Sequence, residues 1–237
     1  MTTASGFSTV DDSTSPPRLS LPREYNAAVD LVDRHVQAGR GHRIAIRDEA
    51  GAYSYAELAA RTDRAAAALR GLGLEMEQRV LLCLPDGIDF PTVFLGALKA
   101  GVVPVPVSTL LTTADYQFLL ADSRARAVVV GDAVYAKLAP LLVPAHPALP
   151  SLKHIILAGS PGGPVVAPPA GAHWLAALLA AAPDASAPAP TTRDDVAFWL
   201  YTSGSTGAPK GAIHLHASLA QTAVLYGRGI LGLGPDD

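Results

Sequence analysis

Residues 201–211 read Tyr-Thr-Ser-Gly-Ser-Thr-Gly-Ala-Pro-Lys-Gly, with three glycines (Gly204, Gly207, Gly211), several hydroxyls and one lysine. These residue types suit the binding of phosphate. Glycines let backbone N–H groups turn inward and approach an anion closely. Ser203, Ser205 and Thr206 add hydroxyl donors, and Lys210 adds a positive charge on a long stem. The spacing is not that of the Walker loop, which places Lys-Ser/Thr directly after its last glycine. Here Lys210 follows Pro209 and precedes Gly211. A surface loop rich in small residues is the bland alternative, and it does not account for so dense a pattern. For Lys210 itself, a solvated lysine stays open as an alternative.

His214 and His216 form His-x-His in the stretch after the loop. Read as a strand over 211–217, it puts both rings on one face. A metal needs a third ligand, and none lies at a suggestive spacing. A metal site at this pair is therefore not expected. His35, His42, His146, His154 and His173 are scattered and read as ordinary. The single cysteine, Cys83, lies in the apolar run VLLCLP and reads as a core residue. One thiol makes no internal disulfide, which fits a reducing compartment, and the expected location is cytoplasmic. Tyr116, Phe118, Phe198 and Trp199 read as packing residues, and the charges of RDEA (47–50) and RTDR (61–64) as solvated faces.

The elements that must position the loop follow from pattern. The chain is 49% hydrophobic and 16% charged, which suits a folded protein. Its net charge is −3 with no basic stripe, which argues against nucleic acid as a partner. No apolar run approaches the ~18 residues of a membrane span. The first residues are polar and acidic, unlike a secretory signal, and residues 1–20 are expected to be a flexible leader. A helix is expected over 24–38, stopped by Gly39 and Gly41. A strand at 43–48 follows. Ser54 with Glu57 forms a capping box opening a helix that ends at Gly71 and Gly73. Strands are expected at 79–85, 102–107, 125–131 and 153–159, alternating with helices at 89–101, 112–123 and 132–142. Pro104 and Pro106 make 102–107 an edge or irregular strand. This alternation predicts an α/β fold with a parallel sheet flanked by helices. A short helix is expected near Trp174, and 183–192 reads as a surface linker. VAFWLY (196–201) is an apolar strand entering the loop, and 211–217 is a strand leaving it. The loop therefore joins two strands, a second departure from Walker geometry.

The stretch YTSGSTGAPKG resembles the phosphate-binding signature of the acyl-adenylate-forming superfamily, the AMP-dependent synthetases and ligases. Longer similarity lies in NAAVDLVDRHVQAGRG (26–41), in residues 79–130 from RVLLCLPDGIDF to ARAVVV, and in residues 198–237. Within the superfamily these stretches look most like benzoate-CoA and hydroxybenzoate-CoA ligases. A fatty acyl-CoA ligase or a peptide-synthetase adenylation domain is the alternative, as is a non-catalytic nucleotide-binding module.

The resemblance implies two half-reactions: ATP and a carboxylic acid give an acyl-adenylate, and the CoA thiol then displaces AMP. It implies ATP, Mg2+ and coenzyme A as cofactors and an aromatic acid as substrate. It assigns Thr202, Ser203, Gly204, Ser205, Thr206 and Gly207 to the phosphates, Lys210 to the loop mouth, and His216 to the neighbourhood of the acyl-adenylate. It also implies that residues 21–237 form the N-terminal, incomplete part of a large adenylation domain. The family's Tyr-Gly-x-Thr-Glu segment, its adenylation lysine and its small C-terminal domain have no counterpart here. The expectation is a catalytically inactive fragment.

Overall fold

The computed structural model describes residues 6–143, 145–159, 170–202 and 207–234. The chain opens with an antiparallel pair, β1 (Thr9–Asp11) and β2 (Arg18–Ser20). Part of the expected leader is therefore docked. The Ser8 N–H donates to Asp30 Oδ1 at 3.3 Å, and the Arg34 guanidinium donates to the Ser8 carbonyl. The helix expected over 24–38 is shorter and partly of another kind. A wide π turn, Val29–Asp33, runs into α1 (Arg34–Gln37), and Gly39 follows in the left-handed region.

β3 (Ile44–Asp48) pairs antiparallel with β4 (Gly51–Ser54). α2 (Tyr55–Gly71) starts where expected: Ser54 and Glu57 exchange the two hydrogen bonds of a capping box. Then come β5 (Arg79–Cys83), α3 (Asp89–Ala100), β6 (Val103–Pro106), α4 (Thr113–Asp122), β7 (Ala127–Gly131), α5 (Asp132–Leu138) and β8 (His154–Ala158). Thr112 caps α4 in a second box with Asp115. β9 (Ala172–Trp174), unexpected as a strand, precedes α6 (Leu175–Ala181).

Five strands form one parallel sheet in the order β6-β5-β7-β8-β9, the expected α/β architecture. Side chains alternate across it with period two. Val80, Leu82, Val129 and Ile156 face a core built with Ala65, Leu69, Val93 and Leu175. Leu81, Cys83, Val128, Val130 and Leu157 face the opposite core, built with Tyr116, Leu120, Val134 and Leu138. Strands covered on both faces carry continuous apolar runs, which is why they were legible. Each fully buried Val or Leu contributes about 1.5–3 kcal/mol. Tyr116 and Cys83 are core residues as expected, whereas Phe118 is exposed.

β6 is an edge for a definable reason. Val103 N–H donates to Gln78 O and Val107 N–H to Leu82 O, both at 2.9 Å. By the strand's alternation, the Pro104 and Pro106 nitrogens point to the opposite edge, where they offer no donor. β10 (Val196–Thr202) runs alongside β6, yet among the described residues it is laddered to β11 (Lys210–Leu215) instead. α7 (His216–Gln221) and a second π segment, Thr222–Arg228, follow.

The expected linker at 183–192 is partly interior. Ala189 and Thr191 are 8% and 4% exposed. Ala189 N–H donates to Lys99 O at 2.8 Å, and Thr191 Oγ1 donates to Tyr25 O at 2.9 Å. Arg70 holds Ser186 Oγ at 2.7 Å. Its backbone groups are satisfied by partners far away in sequence, which local composition cannot reveal.

Candidate nucleotide site

β10 and β11 form an antiparallel hairpin whose tip carries the glycine-rich stretch. The register sets Phe198 opposite His214, Trp199 opposite Ile213, Tyr201 opposite Gly211 and Thr202 opposite Lys210. Thr202 and Lys210 thus form the last cross-strand pair at the mouth, both exposed. Gly207 has φ +119, a backbone conformation that side-chain-bearing residues rarely adopt. Ser203, Gly204, Ser205 and Thr206 lie outside the described residues. The expected strand–loop–strand arrangement is the observed one.

The hairpin's inner strand is apolar because it packs. Phe198 meets Phe94 edge-on at 5.4 Å between centroids and stacks on His214 at 4.5 Å. Arg79 lies over the Trp199 ring at 5.6 Å. Tyr201 Oη donates to Asp122 Oδ2 at 2.5 Å.

The two histidines do not share a face. His214 stays on β11, whereas His216 begins α7 and turns into the interior at 1% exposure. Its Nδ1 accepts the Ala27 N–H at 3.1 Å, so a neutral ring carries its proton on Nε2. Burial pushes its pKa down to about 4, with Asp195 opposing. The structure thus buries His216 at the start of α7. Among the described residues no group of three or more His, Cys, Asp or Glu is arranged to hold a metal ion.

A second concavity was not foreseen. A cleft of about 630 Å³ lies at the carboxyl ends of β5, β7 and β8, lined by Asp86, Asp132 and Gly159 among others. The chain passes from β5 to β6 on one side and returns to β7 on the other, so this is the switch point where ligands of open α/β sheets commonly bind. Its charge is wrong for polyphosphate: Asp48, Glu49, Asp86, Asp89 and Asp132 line it against Arg61. Asp48 accepts the Ile88 N–H at 2.9 Å, and such backbone bonds hold its carboxyl below the usual range. Asp89 pairs with Arg61 at 2.5 Å, yet burial keeps its pKa raised. Asp86, Asp89 and Asp132 stand in LPDGIDF and VGD, and Asp48 and Glu49 in RDEA, but only the fold brings them together.

A parallel α/β sheet with a glycine-rich, lysine-bearing hairpin at its edge defines a class apart from the P-loop proteins. The AMP-binding enzyme family matches residues 32–237, and the chain belongs to that family. It is similar to a benzoate–CoA ligase of Thauera aromatica, 49% identical over 232 residues, 98% of this chain and 42% of the relative. It is 43% identical over 215 residues to a 4-hydroxybenzoate–CoA/benzoate–CoA ligase of Rhodopseudomonas palustris, covering 91% of this chain and 38% of that one. Among solved structures it resembles an anthranilate CoA ligase in complex with anthranoyl-AMP, with a TM-score of 0.81 and 29% identity over 90% of this chain and 39% of that one. The chain spans about two fifths of the length of the curated relatives it matches.

Proposed function

We propose that this chain contributes the ATP-gripping part of an AMP-forming acid–thiol ligase acting on a benzoate-like aromatic acid. The observation that carries the reading is the 49% identity to a benzoate–CoA ligase along 98% of the chain. The glycine-rich hairpin supports it independently, because Thr202 and Lys210 at its mouth are both exposed.

A carboxylate is a poor electrophile. Attack of its oxygen on the α-phosphorus of ATP expels pyrophosphate and leaves AMP as a good leaving group, which the CoA thiol then displaces. Charge develops on the departing phosphates, and preorganised donors lower that barrier. In this reading Thr202, Ser203, Gly204, Ser205, Thr206 and Gly207 hold the β- and γ-phosphates. Lys210, opposite Thr202, supplies positive charge at the mouth. Mg2+ bound with the nucleotide would neutralise part of the phosphate charge. His216 acts from below, by holding β11 in place. No helix among the described residues is long and apolar enough to cross a membrane, and the proposed location is the cytoplasm.

The test is AMP release dependent on benzoate, ATP and CoA, measured for the protein translated from its full reading frame and for the 237-residue chain. AMP and benzoyl-CoA are expected from the former and neither from the latter. Preference for a fatty acid over benzoate contradicts the substrate assignment. ATP binding without AMP release from either protein favours a non-catalytic nucleotide-binding module.

A further inference from the structure

The base of the hairpin is packed, with Ala197 and Phe198 buried, but its mouth lies at the far end. Two-stranded hairpins are marginal by themselves, and β6 offers β10 no N–H donors at Pro104 and Pro106. β11 is exposed along most of its length. Whatever orients the loop mouth must therefore come from side chains.

Tyr201 is suited to this. Its ring lies over its cross-strand partner Gly211, where an added Cβ would sit 3.4 Å from the ring. The ring packs on the core shared by Tyr116, Leu119 and Leu120. Its hydroxyl reaches Asp122 Oδ2, on the last residue of α4, at 2.5 Å. Burial and the Asp122 carboxylate raise the phenol's pKa, so it stays a donor. Two residues earlier, Trp199 takes the Arg79 guanidinium, whose Nε donates to Ser123 O at 2.6 Å. Both attachments thus land on the α4 terminus, at Asp122 and Ser123.

We propose that the Tyr201–Asp122 hydrogen bond is a positioning strut that sets Thr202 and Lys210 for nucleotide, which makes Asp122, a residue outside the glycine-rich motif, part of the binding machinery. The inference rests on reading 202–211 as the ATP site. Neither residue is asked to touch the nucleotide. Both act through the mouth pair.

The experiment compares Tyr201→Phe, Asp122→Ala and the double variant in the full chain. It reads amide exchange at Thr202, Lys210 and Gly211, Mg-ATP affinity by equilibrium dialysis, and thermal stability. A net hydrogen bond of ordinary strength corresponds to about a two- to tenfold effect. Each single variant should speed exchange at the mouth and weaken ATP by about that factor, with exchange in β5 unchanged. The double variant should match the singles, since both remove one bond. Unchanged exchange at the mouth, additive effects, or uniformly faster exchange with a lowered melting temperature would each overturn the proposal. If the unmodified chain binds no ATP, the ATP reading fails, while exchange at the mouth still decides the strut.

Discussion

His216 Nδ1 accepts the backbone N–H of Ala27 at 3.1 Å, joining residues 189 apart in sequence. The His216 and Ala217 N–H groups donate to Asp195 O and Arg193 O, so the start of α7 is pinned on two sides. The far end of β11 is thereby fixed to the N-terminal arm, and the hairpin is anchored at its base as well as at its tip.

This imidazole makes the chain acid-sensitive. The unfolded histidine takes a proton near 6.5, the folded one near 4. Above 6.5 both are neutral and the contribution is complete. Between these values only the unfolded state binds the proton, so stability falls with pH, by up to about 3 kcal/mol. Denaturant midpoints between pH 7.5 and 4 should drop more steeply for the native chain than for His216→Asn, which retains an acceptor. Parallel pH profiles would contradict the assignment.

Lys99 is 3% exposed, with Nζ 2.6 Å from Asp33 Oδ2 and 2.5 Å from Asp63 Oδ1. It joins the π turn, α2 and α3 around one cation. Lys99→Met leaves two partly buried carboxylates facing each other and should cost about 3–5 kcal/mol in urea unfolding. The triple variant with Asp33→Asn and Asp63→Asn should recover much of that loss. A single variant within 1 kcal/mol of the native chain, on the order of a surface pair, would contradict this account.

Gly96 is where α3 crosses α2. A Cβ there would lie 2.5 Å from Ala65 Cβ and 3.1 Å from both Ala66 N and Thr62 O. Backbone cannot swing aside as a flexible side chain does. Gly96→Ala should therefore destabilise by about 1–3 kcal/mol, despite alanine's better helix propensity. A thermal melt shows the sign; stabilisation would mean that the helices are further apart.

What the sequence made legible was local or strongly periodic. The Ser54–Glu57 capping box lies within four residues. β5, β7 and β8 are apolar because both faces are covered. The hairpin flanks of the loop were legible for a similar reason, since VAFWLY and GAIHLH are extended patterns. The turn of His216 from β11 into α7 was not, because its partner Ala27 is distant. The docking of Ala189 and Thr191 depends on Lys99 and Tyr25. The acidic cleft depends on strand order, which composition does not encode. Tyr201 stands in the motif, but its partner Asp122 is 79 residues away.

The central claim is that the hairpin mouth grips ATP. Equilibrium dialysis of labelled Mg-ATP against the chain, Lys210→Ala and Gly207→Val tests it directly. Binding to the native chain is expected, weakened about three- to tenfold by Lys210→Ala through loss of a charge-assisted contact. A larger loss is expected for Gly207→Val, because valine does not tolerate φ +119. Absence of binding to the native chain, or binding that neither substitution alters, would contradict the account.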